Sequence, residues 1–500
     1  MKQLVIIDIG SNSIRLILVR IGKSGNFKIL HDLRESVRLE KDMGEERIIK
    51  ADRIDKAVKT MQMFRNLCDA VQTDEIIVVA TEAVRHAANQ QEFLDRIERE
   101  TGFKIRVLSG AEEAYYDYIG IVNSMDIQDG IMMDLGGGST ELLWIKEGKI
   151  KYTVSIPFGS INVSQQYQLS DEVQSEHLQA LELMLTETYQ SIPWLNDDLP
   201  PLLIGIGGTF RNLGKIDRRR KNYPLELAHN YHMPAQDVFD IQSEQSQMNL
   251  KQRRAVKGLS KERADIFVGA ATIISRFIQL GGFEELAISG YGMREGIIYE
   301  YIGRHYPGQA DALDFSLCNN QLNYMLDKKH AFTIWKITIS LYQQLHCLMQ
   351  FDQNYERVIK TAALLHDTGI VINYYQQNEH LFYLLLNTGL NGLTHREIVL
   401  SAFIASFRSS GRRQQSMLRY RSLLTESDLQ AIPAIGILLR MARSLDRSMS
   451  GMIQSVKCDV RDDKVIIKTE ALADIGLEIY DALRYCNDFK KIFKKDLFIL

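Results

Sequence analysis

The chain has only five cysteines, Cys68, Cys318, Cys347, Cys458 and Cys486, an odd number with no C-x-x-C pair. That excludes a disulfide framework and reads as reduced thiols in a cytoplasmic protein. No apolar run approaches the roughly 18 residues of a membrane span, so none is expected. No leader is expected either, because a strand-like run starts at Leu4. Low-complexity segments are absent. The formal net charge is only −3, which selects no partner class, and no nucleic acid is expected. What remains is an ordinary globular composition over 500 residues. One core cannot use so many, so about three or four domains are expected.

The most informative stretch is Ile131-Met132-Met133-Asp134-Leu135-Gly136-Gly137-Gly138-Ser139-Thr140-Glu141. An apolar run reads as a buried strand. Glycines after it allow a tight turn and let N–H groups approach an anion. Ser139 and Thr140 add hydroxyls, and Asp134 and Glu141 are hard oxygen donors of the kind Mg²⁺ takes. Alone, this reads equally well as a hairpin turn. The pattern occurs twice, however. Leu4 to Leu16 repeats it, with Asp8 matching Asp134, Gly10 matching Gly136 and Ser13 matching Ser139. Each copy continues into a second apolar run, as a β-hairpin does. Two such hairpins predict a duplicated domain whose turns grip one phosphate from both sides.

Between the copies, apolar residues at helical spacing run from Arg53 to Cys68, and Glu75–Ala80 reads as a buried strand. Thr81 is placed to cap the next helix, with Arg85 one turn in, where open α/β sheets bind ligands. A surface salt bridge is the alternative for Arg85. Ser109 and Glu112 fit a capping box, which leaves Glu113 unassigned. Glu113 is then either a base for an attacking water or, as spacing alone favours, an acid that merely suits the helix start. A third glycine turn, Gly207-Gly208-Thr209, follows another apolar strand. Six basic residues against Asp217 between Arg211 and Lys221 read as a solvated loop or as a landing strip for a polyanion.

The motifs D-x-G-S-N-S, T-x-A-x-R, S-G-x-E-E-A, D-x-G-G-G-S-T-E, G-G-T and G-M-R-E-G, in this order over residues 4 to 300, resemble the exopolyphosphatase and guanosine pentaphosphate phosphatase (Ppx/GppA) family. The resemblance implies an α/β fold of duplicated actin-like (ASKHA, ribonuclease H-like) domains. It implies release of terminal orthophosphate from inorganic polyphosphate with Mg²⁺. By that resemblance Glu113 is the general base. Phosphate is held by Ser11, Asn12, Ser13, Arg85, Gly136, Gly137, Gly138, Ser139 and Thr140, with Gly208 and Thr209 from the third turn. Asp134 and Glu141 sit at the metal with Asp8, and a homodimer is the family's usual state. The alternatives are a pppGpp 5′-phosphohydrolase using the same site, a weakly catalytic ppGpp sensor, and a kinase or actin-like ATPase of the same fold. Gly290 departs from the pattern, since many members have Asp before the G-x-R-E-G helix.

From about Asp311 amphipathic helices dominate. His330, the His366-Asp367 pair and the downstream His380 and His395 resemble the all-α HD-like domain of long family members. Arg443 stands where a late ligand Asp is usual, with Asp446 nearby, which predicts a degenerate metal site. After Gly451 a small α/β tail is expected. The expected boundaries are 1–125, 126–305, 306–450 and 451–500. A long polyphosphate needs positive charge beyond one cradle. Candidates for a clamp are Arg218, Arg219, Arg220 and Lys221, then Arg253 and Arg254, then Arg412 and Arg413.

Overall fold

β1 (Lys2–Ile9) turns through residues 10–13 into β2 (Ile14–Ile21), pairing Asp8 with Arg15 across the hairpin. β3 (Phe27–Glu35) adds to β2, while β4 (Glu75–Ala80) and β5 (Arg106–Val107) continue the sheet in parallel, giving the order β3-β2-β1-β4-β5. β1 is apolar on both faces because it is central and covered on both sides. The helix Ala51–Ala70 covers one face with Ile54, Ala57, Val58, Met61 and Phe64.

The plan then repeats in this computed structural model, which describes residues 1–500 except 45, 307, 309, 310, 350, 352 and 409–413. β6 (Gly130–Leu135) and β7 (Thr140–Lys146) form the second hairpin, pairing Asp134 with Glu141. β8 (Lys149–Ile156), β9 (Leu202–Ile206), β10 (Tyr231–Pro234) and β11 (Glu285–Ile288) complete a sheet ordered β8-β7-β6-β9-β11-β10. Read from the hairpin edge, the first five strands of each sheet match one for one, so the duplication extends well beyond the two turns.

The helix Gly110–Val122 joins the copies. Its Ala114 and Ile121 pack with Met132, Leu143, Ile204 and Ala287 of the second sheet. The expected boundary at 125 therefore marks no break in packing. The helix Met293–His305 returns to lie against the 110–122 helix. The approach is so close that a Cβ on Gly296 would stand 1.8 Å from the Tyr116 carbonyl oxygen, so only glycine fits.

Residues Met1–Gln309 make one compact unit and Ala310–Leu500 a second. The second unit packs the helices Lys328–Gln344, Glu356–Leu364, His395–Ala405 and Glu426–Leu445 together. A three-stranded sheet of β12 (Ile453–Val460), β13 (Lys464–Ala471) and β14 (Asp496–Ile499) adjoins them. The small α/β tail packs against the helices of this unit. Three strands are too few for a core of their own, and Gln344 Nε2 donates to the Val456 carbonyl at 2.9 Å while Ser444 Oγ donates to Asp481 at 2.7 Å. Among the described residues no helix is long and apolar enough to cross a membrane.

Candidate active site

The two hairpin turns share their wiring. Gly10 N–H donates to the Ser13 carbonyl at 3.2 Å, and Gly136 N–H to the Ser139 carbonyl at 3.0 Å. In the second turn the carbonyls of Gly136 and Gly137 accept from the amides of Ser160 and Ile161, at 3.0 and 2.8 Å. The carbonyls thus face the start of the helix Ser160–Gln166. The amides of Gly137, Gly138 and Ser139 have no backbone partner among the described residues, which is the arrangement of an anion-binding nest.

Both turns line one cavity of about 200 Å³, together with the start of the 110–122 helix. It gathers Ser11, Asn12, Ser13, Gly136, Gly137, Ser139 and Gly208 with Asp8, Asp134, Glu141 and Glu113. Four expected residues lie off its wall. Thr140 is buried and donates its hydroxyl to the Phe158 carbonyl at 2.7 Å, because alternation along β7 sends it to the face opposite Ser139. Thr209 is buried in the first turn of the helix Gly208–Arg220. Gly138 sits behind the turn, toward Glu40 and Glu82. Arg85 is committed to carboxylates, with Nη1 2.5 Å from Glu113 Oε2 and Nη2 2.7 Å from Glu82 Oε2. Thr81 makes no side-chain cap and lines the cavity instead.

The two adjacent glutamates are held differently. Glu112 closes the capping box with Ser109 and also pairs with Arg106, and these bonds hold its carboxyl down at about 2. Glu113 is half-buried, and desolvation together with the nearby Glu141 charge raises its carboxyl well above the usual range, against the pull of Arg85. A carboxylate raised in this way is suited to accept a proton near neutral pH.

Asp117, one helical turn beyond Glu113, escaped the sequence reading. It is 1% exposed, lies against Asp134, and its Oδ1 has no hydrogen-bond partner. Burial and then Asp134 push its carboxyl up strongly. Burial likewise raises Asp134 and Asp8. It also raises Glu141, to about 7, with Asp134 adding to the shift and Ser139 and Ser155 opposing it. Gly207, at φ +102°, leaves Asp134 Oδ1 free, since a Cβ there would lie 3.1 Å from that oxygen. The carboxylates do not form a ready-made cage. Among the described residues only His330, His366 and Asp367 bring three ligand atoms within 4.8 Å of one another. Mg²⁺ asks for less, since it keeps several waters and takes one or two carboxylates. The open space at Asp134 fits that demand.

The cavity also holds cations that the sequence reading missed. Arg15, Arg211, Arg263 and Arg294 all line it. Arg294 is tied to Asp32 at 2.9 Å. Arg15, Arg211 and Arg263 make no salt bridge among the described residues. Burial and then mutual repulsion lower Arg15 and Arg263 to about 10. The departure at Gly290 has a local reason: His229 fills the space, and a Cβ on residue 290 would lie 2.9 Å from the His229 Cβ.

The expected landing strip is instead the 208–220 helix: Arg211 at its start lines the cavity, and the charges from Arg218 to Lys221 are spent. Arg218 is buried and donates to the Leu227 carbonyl at 2.8 Å. Arg219 pairs with Glu226, Arg220 with Glu244, and Lys221 with Asp217 and Asp237. Arg253 is fully buried and donates to the carbonyls of Ser170 and Asp171. Arg412 and Arg413 lie outside the described residues.

In the second unit, His330 Nδ1 bonds to Asp446 Oδ2 at 2.7 Å, and Arg443 Nη2 lies 3.1 Å from Asp367 Oδ1. A fixed cation on Asp367 opposes a metal there, so this donor set does not fit one.

Comparison with known proteins agrees with the motifs. A model of the Ppx/GppA phosphatase family matches residues 16–305, and one of Ppx/GppA phosphatase domain III matches residues 315–478. A guanosine-5′-triphosphate,3′-diphosphate pyrophosphatase of Aeromonas hydrophila is 26% identical over 413 residues, covering 80% of each chain. The solved Ppx/GppA family member of Aquifex aeolicus aligns with TM-score 0.55 at 23% identity, over 61% of this chain and 99% of its own. An exopolyphosphatase from Cytophaga hutchinsonii aligns with TM-score 0.56 at 24% identity, over 61% and 98%. At these identities the structural likeness is one of fold.

Proposed function

Because the chain belongs to the Ppx/GppA phosphatase family, whose members hydrolyse phosphoanhydride bonds, we propose that it is an exopolyphosphatase releasing terminal orthophosphate from inorganic polyphosphate. The observation that carries this reading is the division of the cavity. Carboxylates gather by the second hairpin and the 110–122 helix, and Arg15, Arg211 and Arg263 stand near them without a salt bridge among the described residues. Half-buried cations that repel one another favour an anion, and a substrate with a charge on every unit meets several at once.

In this reading the terminal phosphate rests on the amides and hydroxyls of residues 11–13 and 137–139. Asp134, Glu141 and Asp8 would hold Mg²⁺, which when bound would offset charge on the phosphoryl oxygens. Glu113 takes the proton of the attacking water. Arg85 positions Glu113 rather than touching phosphate. Asp117, kept neutral by burial, donates its proton to Asp134 as a hydrogen bond. Such chemistry is mostly positioning and charge stabilisation.

The Aeromonas hydrophila relative supports a second reading, a pppGpp 5′-phosphohydrolase at the same residues. Phosphate release with Mg²⁺ from long polyphosphate, short polyphosphate and pppGpp, measured side by side, separates the two. The expected kcat/KM is at least about tenfold higher on polyphosphate. A reversed order replaces the reading with the second one. Tight ppGpp binding with negligible release would make the chain a sensor, and ADP formation from ATP with a phosphate acceptor would make it a kinase.

The finer architecture belongs to the same proposal. The matched strand orders support an actin-like duplication, and the His330–His366–Asp367 cluster supports an HD-like helical domain with a degenerate centre. A homodimer and a cytoplasmic location complete it, the latter supported by five free cysteines.

A further inference from the structure

A second cavity, of about 380 Å³, lies wholly within the second unit beside the His330–His366–Asp367 cluster. Four arginines line it. Arg440 and Arg443 project from the helix Glu426–Leu445, Arg447 follows its end, and Arg408 follows the helix His395–Ala405. Three carboxylates share the wall, and each is engaged. Asp446 accepts from His330 Nδ1 and from Gly451 N–H, both at 2.7 Å. Asp481 accepts from Ser444 Oγ at 2.7 Å and from Arg484 at 3.1 Å. Asp367 holds Arg443.

The other three guanidinium groups have no carboxylate partner among the described residues. Arg440 bonds to the Tyr485 hydroxyl at 3.1 Å and lies 4.6 Å over its ring. Arg408 Nε donates to the Asn378 amide oxygen at 2.7 Å, in the amide orientation that satisfies both. Arg447 makes no side-chain hydrogen bond or salt bridge among the described residues. Guanidinium groups gathered on one cavity wall raise the local concentration of anions there. Guanidinium forks match phosphate oxygens two at a time, and the cavity is of small-ligand size.

We propose that this cavity is a non-catalytic binding site for a small, multiply charged phosphate compound, whose oxygens are taken by Arg408, Arg440 and Arg447. Arg443 fixes the geometry by neutralising Asp367, where a metal-dependent enzyme would keep its ion. The same chemistry is offered by a bare oligophosphate and by the phosphate tail of a nucleotide.

The test is isothermal titration of the full chain in EDTA, with sodium tripolyphosphate in one arm, GTP in a second and inorganic phosphate in a third. Two tripolyphosphate sites per chain are expected. R408Q/R447Q, which alters two exposed side chains, should lose one of them, while kcat/KM for tripolyphosphate hydrolysis with Mg²⁺ stays within about twofold. R15Q should weaken the other site alone. R447E is the independent check and should weaken the second-unit site by about tenfold or more, the scale of one charge-assisted phosphate contact. Saturation of that site by GTP assigns it to nucleotides. Tripolyphosphate without GTP assigns it to bare oligophosphate. A single site in the wild type, or a second site that survives R408Q/R447Q unchanged, overturns the proposal. Loss of hydrolysis in the assays above would leave this outcome unaffected, because the two sites are read separately.

Discussion

The two hairpins follow one plan, and one of their differences changes the charge beside the turn. In the first, Asp8 faces Arg15 across the strands, and in the second, Asp134 faces Glu141. The position that supplies a cation in one copy supplies a carboxylate in the other. The first hairpin is therefore equipped to meet negative charge and the second to meet a metal, although their turns share one hydrogen-bond pattern. Divergence at this paired position gives the two cradles opposite charge, and Arg211 and Arg263 of the second copy add to the cations of the same cavity.

If the halves divide the work this way, the reacting group must be the acid between them. Glu113→Gln should lower turnover by roughly 10²–10⁴, the usual size for a general base, and Glu112→Gln should keep most activity because Gln also closes a capping box. Equal losses in phosphate-release assays would sink the assignment. The metal side comes next. Glu141→Gln should raise the Mg²⁺ needed for half-maximal rate by on the order of 10–100-fold, as when groups around a metal are removed. Arg15→Gln should leave the Mg²⁺ titration unmoved.

On the anion side, Arg15→Gln should raise KM for short polyphosphate about tenfold with kcat nearly kept, since a charge-assisted bond is worth about 1.5–3 kcal/mol. A fall in kcat without a change in KM would blur the division. The smallest effect is on stability. Burial raises Glu141 from 4.5 to about 7, and Glu113, Asp117, Asp134 and Asp8 are also raised. A carboxyl raised on folding contributes stability that is complete below its unfolded value and is lost as pH rises through its folded value. Without Mg²⁺ the melting temperature should thus fall by a few degrees between about pH 5 and pH 8. Mg²⁺ should remove the trend. A rise over that window without the ion would contradict the burial of these acids.

The hairpins were legible in the sequence because strand, Asp, glycine turn and strand are local, and because they repeat. The Glu112 capping box was legible for the same reason. Asp117 left a readable trace, an acid four residues after Glu113 and so on the same helix face. Arg15 left one too, since pairing sets it opposite Asp8. The failures came from distance. Nothing near Arg253 in the chain announces that carbonyls 82 and 83 residues away will bury it. Nothing in the run from Arg218 to Lys221 names Glu226, Glu244 and Asp237 as partners. Thr140 and Thr209 were misassigned by reading composition around a turn without its alternation.

The glycine contact between the 110–122 and 293–305 helices has a mechanical consequence. One helix carries Glu113 and Asp117, and the other carries Arg294 and Glu295 in its first turn, on the wall of the same cavity. With a Gly296 hydrogen against the Tyr116 carbonyl there is no slack for sliding, so the pair moves as a single lever. A breathing motion that widens the cavity must swing the acids and this arginine together. Their spacing is then a constant of the machine, and only their distance to the hairpins is left as its stroke.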